Sequence, residues 1–429
     1  MAAVARAGFG RAFEVPGFRA LWTATVQSQL GNQLARLALA VLVFDRTSSP
    51  VLTALTYALT FLPPMVAAPL LTGLADRFPR RTVLMSADLI RAVLIGLTAL
   101  PGLPLVAVGV LVTLNACVHP LYSAASGAAL PTLLPGDRYP VGAGVLAMTD
   151  MVTQIAGFGL GGVALGWLGG PRGCLAVDAA TFALSALLLR SGLPPLRPGP
   201  SRSPGARRGG HGAALRMVLT DRRLAVPAAL VWLYGLLLAP EALAVPFTHQ
   251  IGAGTGATGW LMAADPVGAL IGTLLLTRVV PQRWWPALLT PLAVAAGVPL
   301  IVSALAPALP VALVLWSLTG VLTCYITIAQ VTYVRRVPDE RRGRAAGVAS
   351  AGLQTAQCVG VLVAGALAEL MAPSTAIGVC AAVGVLLAVL LAAAARERRG
   401  RQDSAAPDQT TAPPLRTGTA DKDPGGEPC

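Results

Sequence analysis

Residues 18–44 read FRALWTATVQSQLGNQLARLALAVLVF. As an α-helix this stretch is long enough to cross a hydrocarbon core about 30 Å thick. Within it Thr25, Gln29, Asn32, Gln33 and Arg36 recur at steps of three and four, so they form one polar stripe along an otherwise apolar cylinder. A stripe facing lipid is costly. It therefore faces protein, either to hydrogen-bond between helices or to line an aqueous cavity.

Eleven further apolar runs follow, at about 51–74, 82–101, 104–128, 141–168, 173–190, 223–247, 256–277, 284–306, 308–334, 345–368 and 374–395. Of the 429 residues, 55% are hydrophobic and only 12% charged, against about 25% charged in soluble domains, so the bilayer must be the solvent. The expected fold is an all-α integral membrane protein of about twelve transmembrane helices. The net charge of +13 is spread in short groups between the apolar runs, which excludes a nucleic-acid-binding face and reads as membrane topology. With both termini placed in the cytoplasm, only Arg46 and Arg172 fall in outer loops, the asymmetry expected of a multi-pass plasma-membrane protein. The six cysteines show no paired spacing, and the first apolar run is a retained helix, not a cleaved signal.

The chain divides into a six-helix bundle over 1–190, a Pro- and Arg-rich cytoplasmic linker over 191–222, a second bundle over 223–395 and a disordered cytoplasmic tail over 396–429. The two bundles share a register. Pro135-Gly136-Asp137-Arg138 followed by Gly144-Val145 returns as Pro338-Asp339-Glu340-Arg341 followed by Gly347-Val348, and Gln154 returns as Gln357. A duplicated unit related by an axis along the membrane normal is the architecture of a transporter that rocks about a central site.

Between the second and third runs the sequence is Thr72-Gly73-Leu74-Ala75-Asp76-Arg77-Phe78-Pro79-Arg80-Arg81. This resembles the signature loop of the major facilitator superfamily, with Thr72 and Pro79 standing where the pattern has glycines. The resemblance implies that Asp76, Arg77, Arg80 and Arg81 form an inner charge network that latches the halves in one conformation; setting topology is the simpler alternative for the arginines. Gly157, Gly161 and Gly162 partly match a glycine pattern of the family's antiporters, and close helix packing explains them equally well. Phe18-Arg19-Ala20-Leu21-Trp22, Asp88 with Arg91, Asp178-Ala179-Ala180-Thr181-Phe182 and Arg341-Arg342-Gly343-Arg344 look most like the branch of drug:proton antiporters that includes macrolide and siderophore exporters.

Polar stripes continue on the fourth helix (Asn115, His119, Tyr122), the tenth (Thr323, Thr327, Gln330) and the eleventh (Ser350, Gln354, Gln357). The resemblance implies that helices one, four, seven and ten border the cavity, which makes the stripes of helices one, four and ten the substrate-contact candidates. Asp150, Glu241 and Asp265 are ionisable groups inside apolar runs, with Glu241 expected toward the outer end of its helix and Asp265 nearer the middle. Desolvation penalises an ionised carboxylate, so such a group serves a reversible proton site; a structural ion pair or a kink partner is the alternative. Arg36 is a possible counter-ion, and Asp88 with Arg91, three apart near the inner surface, is a fixed pair or part of the gate.

Neither a phosphate-binding Gly-Lys-Ser/Thr loop nor a metal or nucleophile-and-base constellation occurs, so no cofactor, metal or enzymatic activity is expected. The expectation is a monomeric secondary transporter exporting an amphipathic small molecule, such as a drug, antibiotic or metabolite, against proton flow. A nutrient facilitator or importer is the first alternative, and a transport-inactive scaffold or sensor the second.

Overall fold

In a computed structural model, which describes residues 10–75, 77–195, 216, 222–337 and 339–405, twelve straight or broken helices follow one another. They are α1 (Pro16–Thr47), α2 (Pro50–Ala58 and Leu62–Ala75), α3 (Arg80–Thr98), α4 (Leu105–Leu133), α5 (Arg138–Trp167) and α6 (Pro171–Gly192). Then come α7 (Arg222–Leu237 and Ala239–Gln250), α8 (Thr255–Val279), α9 (Trp285–Ala295 and Val298–Val302), α10 (Leu309–Leu322 and Tyr325–Arg336), α11 (Asp339–Leu370) and α12 (Pro373–Ala405). Each expected run is a helix. The last one continues to Ala405, ten residues into the segment expected to be disordered. Most of the expected linker lies outside the described residues.

Ten of the twelve are long and apolar enough to cross a membrane. The two that miss, α1 and α3, are long enough but carry the polar stripe in one case and Arg80, Arg81, Asp88 and Arg91 in the other. Large apolar side chains such as Val66, Val106, Val314 and Leu370 point outward and stay exposed, as lipid contact requires. Trp167 at the end of α5 and Trp284 just before α9 are exposed at span ends, where an amphipathic ring suits the lipid–water boundary.

Three of the four breaks have a local cause. Pro63 and Pro64 follow the break in α2, Pro240 that in α7 and Pro299 that in α9; proline removes one backbone donor and crowds the carbonyl four residues earlier. The break in α10 at Thr323–Cys324 has no proline.

Helix pairing repeats between the halves. α1 packs on α5 and α6 as α7 packs on α11 and α12, and α2 packs on α4 as α8 packs on α10. The halves meet through α5 against α8 and α2 against α11, two contacts that a two-fold exchange of the halves converts into each other. We call the end bearing the 48–49 and 251–254 turns distal, and the end bearing the described termini proximal.

The α5–α8 contact is made by glycine backbones. A Cβ on Gly259 would sit 2.4 Å from the Phe158 carbonyl oxygen and 2.6 Å from the Gly162 nitrogen, whereas one on Gly256 meets nothing nearer than 3.5 Å. The replacement G259A is therefore expected to cost about 1–3 kcal/mol by forcing the halves apart. G256A should leave the melting temperature of the purified protein near wild type, and thermal unfolding of the two variants side by side measures the difference.

Candidate functional site

The polar stripe of α1 is used mainly to bond other helices of its own half. Asp150 Oδ1 on α5 accepts from Gln29 Nε2 at 3.0 Å, Gln29 Oε1 accepts from Asn32 Nδ2 at 3.1 Å, and Asn32 Oδ1 accepts from Arg91 Nη2 at 2.6 Å. Arg91 Nε also donates to Asn115 Oδ1 on α4 at 3.4 Å, and its guanidinium carbon lies 4.0 Å above the Phe182 ring of α6. One chain of contacts thus ties α5, α1, α3, α4 and α6 together. Thr25 and Tyr122 close a second α1–α4 contact, with hydroxyl oxygens 3.4 Å apart. Gln33 is buried with its Oε1 unpartnered, and its Cβ fills the space that Gly157 leaves on α5. Gly161 likewise receives Leu34 and Leu37 of α1, and Gly162 meets α8, so close packing accounts for all three glycines of the antiporter-like pattern.

Asp88 and Arg91 are fully buried and stand apart from the loop with which the sequence groups them. They share the interior with Asp178 of α6. Asp88 Oδ2 accepts from Ser185 Oγ at 2.5 Å and Asp178 Oδ1 from Thr181 Oγ1 at 3.3 Å, while Asp88 Oδ1 and Asp178 Oδ2 have no hydrogen-bond partner. The Arg91 charge acts on both carboxylates. As a pair, Asp88 and Arg91 are joined electrostatically; the hydrogen bonds of Arg91 go to amide oxygens.

In the signature-like loop, Asp76 lies outside the described residues and Arg77 is exposed. Arg80 donates to the Ala128 carbonyl and, at 2.6 Å, to Thr132 Oγ1; Arg81 donates to the Arg190 carbonyl. Both arginines thus complement the carboxyl ends of α4 and α6 in their own half. Among the described residues, the bonds of both arginines stay within their own half.

Contact between the halves is distal. Ser49 Oγ and the Val51 amide (3.3 Å) donate to Glu369 Oε1, Phe44 meets His249 edge-on with ring centroids 5.7 Å apart, and Tyr57 Oη donates to Glu241 Oε2 at 2.6 Å. Thr355 Oγ1 on Met65 Sδ, at 3.3 Å, is the most proximal of these links among the described residues. Among the described residues, the links between the halves thus gather toward the distal end.

Glu241 and Asp265 lie nine and ten residues from the distal ends of α7 and α8, which puts Glu241 in the distal part of α7 and Asp265 nearer the middle of α8. Both line a small cavity, about 10 Å³ in volume, with Leu237, Leu238, Met262, Trp316 and Thr319. Arg36 of α1 is the cation within electrostatic reach of Glu241, so its counter-ion role falls to Glu241. Tyr234 Oη donates to Asp265 Oδ2 at 3.2 Å. His119 is half-buried in the field of Arg91 and Arg36. On α10, Thr323 bonds its own backbone, Thr327 is half-buried and Gln330 is exposed.

Tyr57, Tyr234, Ser185 and Thr319 were not legible as site residues, because a hydroxyl in an apolar run carries no signal of its partner. Asp178 did carry one: it is an ionisable group seven residues inside an apolar helix, the same criterion that singled out Asp150.

The sequence model of the Major Facilitator Superfamily matches residues 21–248 and 240–424. The chain belongs to the Major Facilitator Superfamily. Its superfamily membership makes it a multi-pass membrane transporter for small molecules, not an enzyme. Among curated superfamily members it is similar to the uncharacterized MFS-type transporter YkuC of Bacillus subtilis, 29% identical over 184 residues, an alignment that spans 42% of each chain. It is also similar to the multidrug efflux pump Tap of Mycolicibacterium fortuitum, 28% identical over 380 residues, covering 81% of this chain and 88% of Tap. Solved superfamily folds include a bacterial homolog of the human lysosomal transporter Spinster in an inward-facing, unoccupied conformation (TM-score 0.67, 16% identity, 88% of this chain and 96% of that one). Another is a peptide transporter of the POT type in complex with sulfate (TM-score 0.69, 11% identity, 89% and 94% covered). At such identities these likenesses concern the fold alone.

Proposed function

We propose that this superfamily member exports amphipathic small molecules across the cell membrane by alternating access, driven by proton entry, with both termini in the cytoplasm. The carrying observation is the Tyr57–Glu241 bond, a charged hydrogen bond that spans the two halves and exists only while their distal ends are closed. In this reading a proton arriving at Glu241 removes the charge that attracts Arg36 and weakens the bond from Tyr57. The balance between distally closed and distally open states then shifts by that lost interaction. Asp150 is the second proton group. Its carboxylate is exposed, yet it is tied to α1 through Gln29, which aims it at the cleft side of α5.

Arg36, His119 and Gln330, each at least partly accessible, are the substrate contacts of choice, while Thr25, Gln33, Asn115, Tyr122, Thr323 and Thr327 shape the walls. The arginine excess at the proximal end supports the cytoplasmic placement of the termini. The likeness to a multidrug efflux pump over most of both chains supports export and a broad cargo. One chain supplies both halves of the passage, so a monomer suffices.

The test uses the purified protein in liposomes loaded with a pH-sensitive dye and a panel of cationic and neutral amphipathic antibiotics. Cargo movement should run with an opposite proton flux in the wild type, E241Q should lose proton-driven accumulation, and D150N should reduce it. Cargo movement indifferent to the proton gradient, or full coupling retained in both variants, overturns the proton assignment.

A further inference from the structure

The cavity lined by Glu241 and Asp265 lies in the second half, behind the cleft. Among its lining side chains Glu241, Asp265 and Thr319 carry oxygen ligands. Thr319, 2% exposed, turns a hydroxyl into it that has no hydrogen-bond partner. Glu241 uses Oε2 for Tyr57 and Asp265 uses Oδ2 for Tyr234, which leaves Oε1 and Oδ1 available.

Backbone oxygens add to these. Pro266 has no N–H to give the Met262 carbonyl, and Met262 lines the cavity. The first segment of α7 ends at Leu237, beside the cavity, so the negative end of a half-helix points toward the same space. Discontinuous membrane helices that present carbonyls and carboxylates in this way coordinate small cations.

Charge and size select the ligand. Arg36 lies within electrostatic reach of Glu241 from α1, so with both carboxyls ionised around a bound cation the three groups carry one net negative charge, which one monovalent cation balances. The other titratable groups facing the two carboxylates are Tyr57 of α2, Tyr234 of α7 and Tyr325 of α10, all neutral phenols. The part of the cavity wide enough for a whole water molecule holds about one. That excludes Mg²⁺ with its retained waters, and the donor count falls short of the six to eight oxygens that Ca²⁺ takes.

We propose that Glu241, Asp265 and Thr319 form a Na⁺ site in the second half. This builds on the transport reading in one respect, the use of Glu241 as a coupling group.

Equilibrium binding of radioactive Na⁺ to the purified full-length protein, in choline buffer with no membrane and no gradient, tests it. Saturable binding of one Na⁺ per chain is expected, displaced by excess unlabelled Na⁺ but not by K⁺ or Mg²⁺. T319V and D265N should each lower the affinity by about tenfold or more, while D150N, outside the site, leaves it unchanged. The melting temperature of each variant in choline shows that it is folded, and a Na⁺-induced rise in melting temperature should be present in wild type and lost in T319V. Absence of Na⁺-specific binding, equal displacement by K⁺, or wild-type affinity in both T319V and D265N overturns the site. Because no transport is measured, a failure of proton coupling in liposomes leaves this result standing. Proton-driven transport without Na⁺ binding defeats the Na⁺ site alone.

Discussion

Replacing Arg91 by methionine should destabilise the protein by about 3–5 kcal/mol, enough to remove most of it from the folded pool. Arg91 is the cation acting on two buried carboxylates, Asp88 and Asp178, each with one oxygen that lacks a hydrogen-bond donor. R91M strands both in a medium of low dielectric and strips the donors from Asn32 and Asn115. Lysine keeps the charge, but it has no planar fork to reach both amides while lying flat on Phe182, so R91K should fall between wild type and R91M. The triple variant R91M/D88N/D178N has no net buried charge left and should recover much of the lost stability. Melting temperature and the yield of monodisperse protein measure the series. A triple variant as unstable as R91M would mean that Arg91 acts through packing, not through charge.

The same cluster shows what the sequence disclosed. Span boundaries were legible to within a few residues because a bilayer demands about twenty apolar residues per crossing, and this chain has little else between its turns. The duplication was legible because paired prolines and glycines keep their offset. Where a polar residue points was much less so. Gln29, Asn32 and Asn115 have the spacing of a cavity lining, yet their bonds go to Asp150 and Arg91 inside one half. Periodicity fixes the face of a helix and leaves open which neighbour it meets. The break at Leu238 in the middle of α7 was not legible, because a continuous apolar run conceals it. The residues Arg80 and Arg81 match a family loop, but residue types in a loop do not say which carbonyls they will bond, here those at the ends of α4 and α6.

Locking the distal end should abolish transport. Ser49 begins α2 as its cap and also donates to Glu369 at the far end of α11, so the two side chains touch across the halves. Glu369 accepts the Val51 amide as well, placing a carboxylate on the positive end of the first α2 segment. In a variant whose native cysteines are replaced, S49C/E369C treated with a short bifunctional thiol reagent should cross-link readily and lose nearly all cargo movement, regaining it when a cleavable linker is cut. The effect should exceed that of E369Q, which only weakens an exposed polar contact worth about 1 kcal/mol and should speed distal opening. Alternating access requires this separation, because cargo can leave on the distal side only if these contacts part. Complete cross-linking with transport undiminished would mean that Ser49 and Glu369 stay together throughout the cycle, and that the halves rotate about this contact.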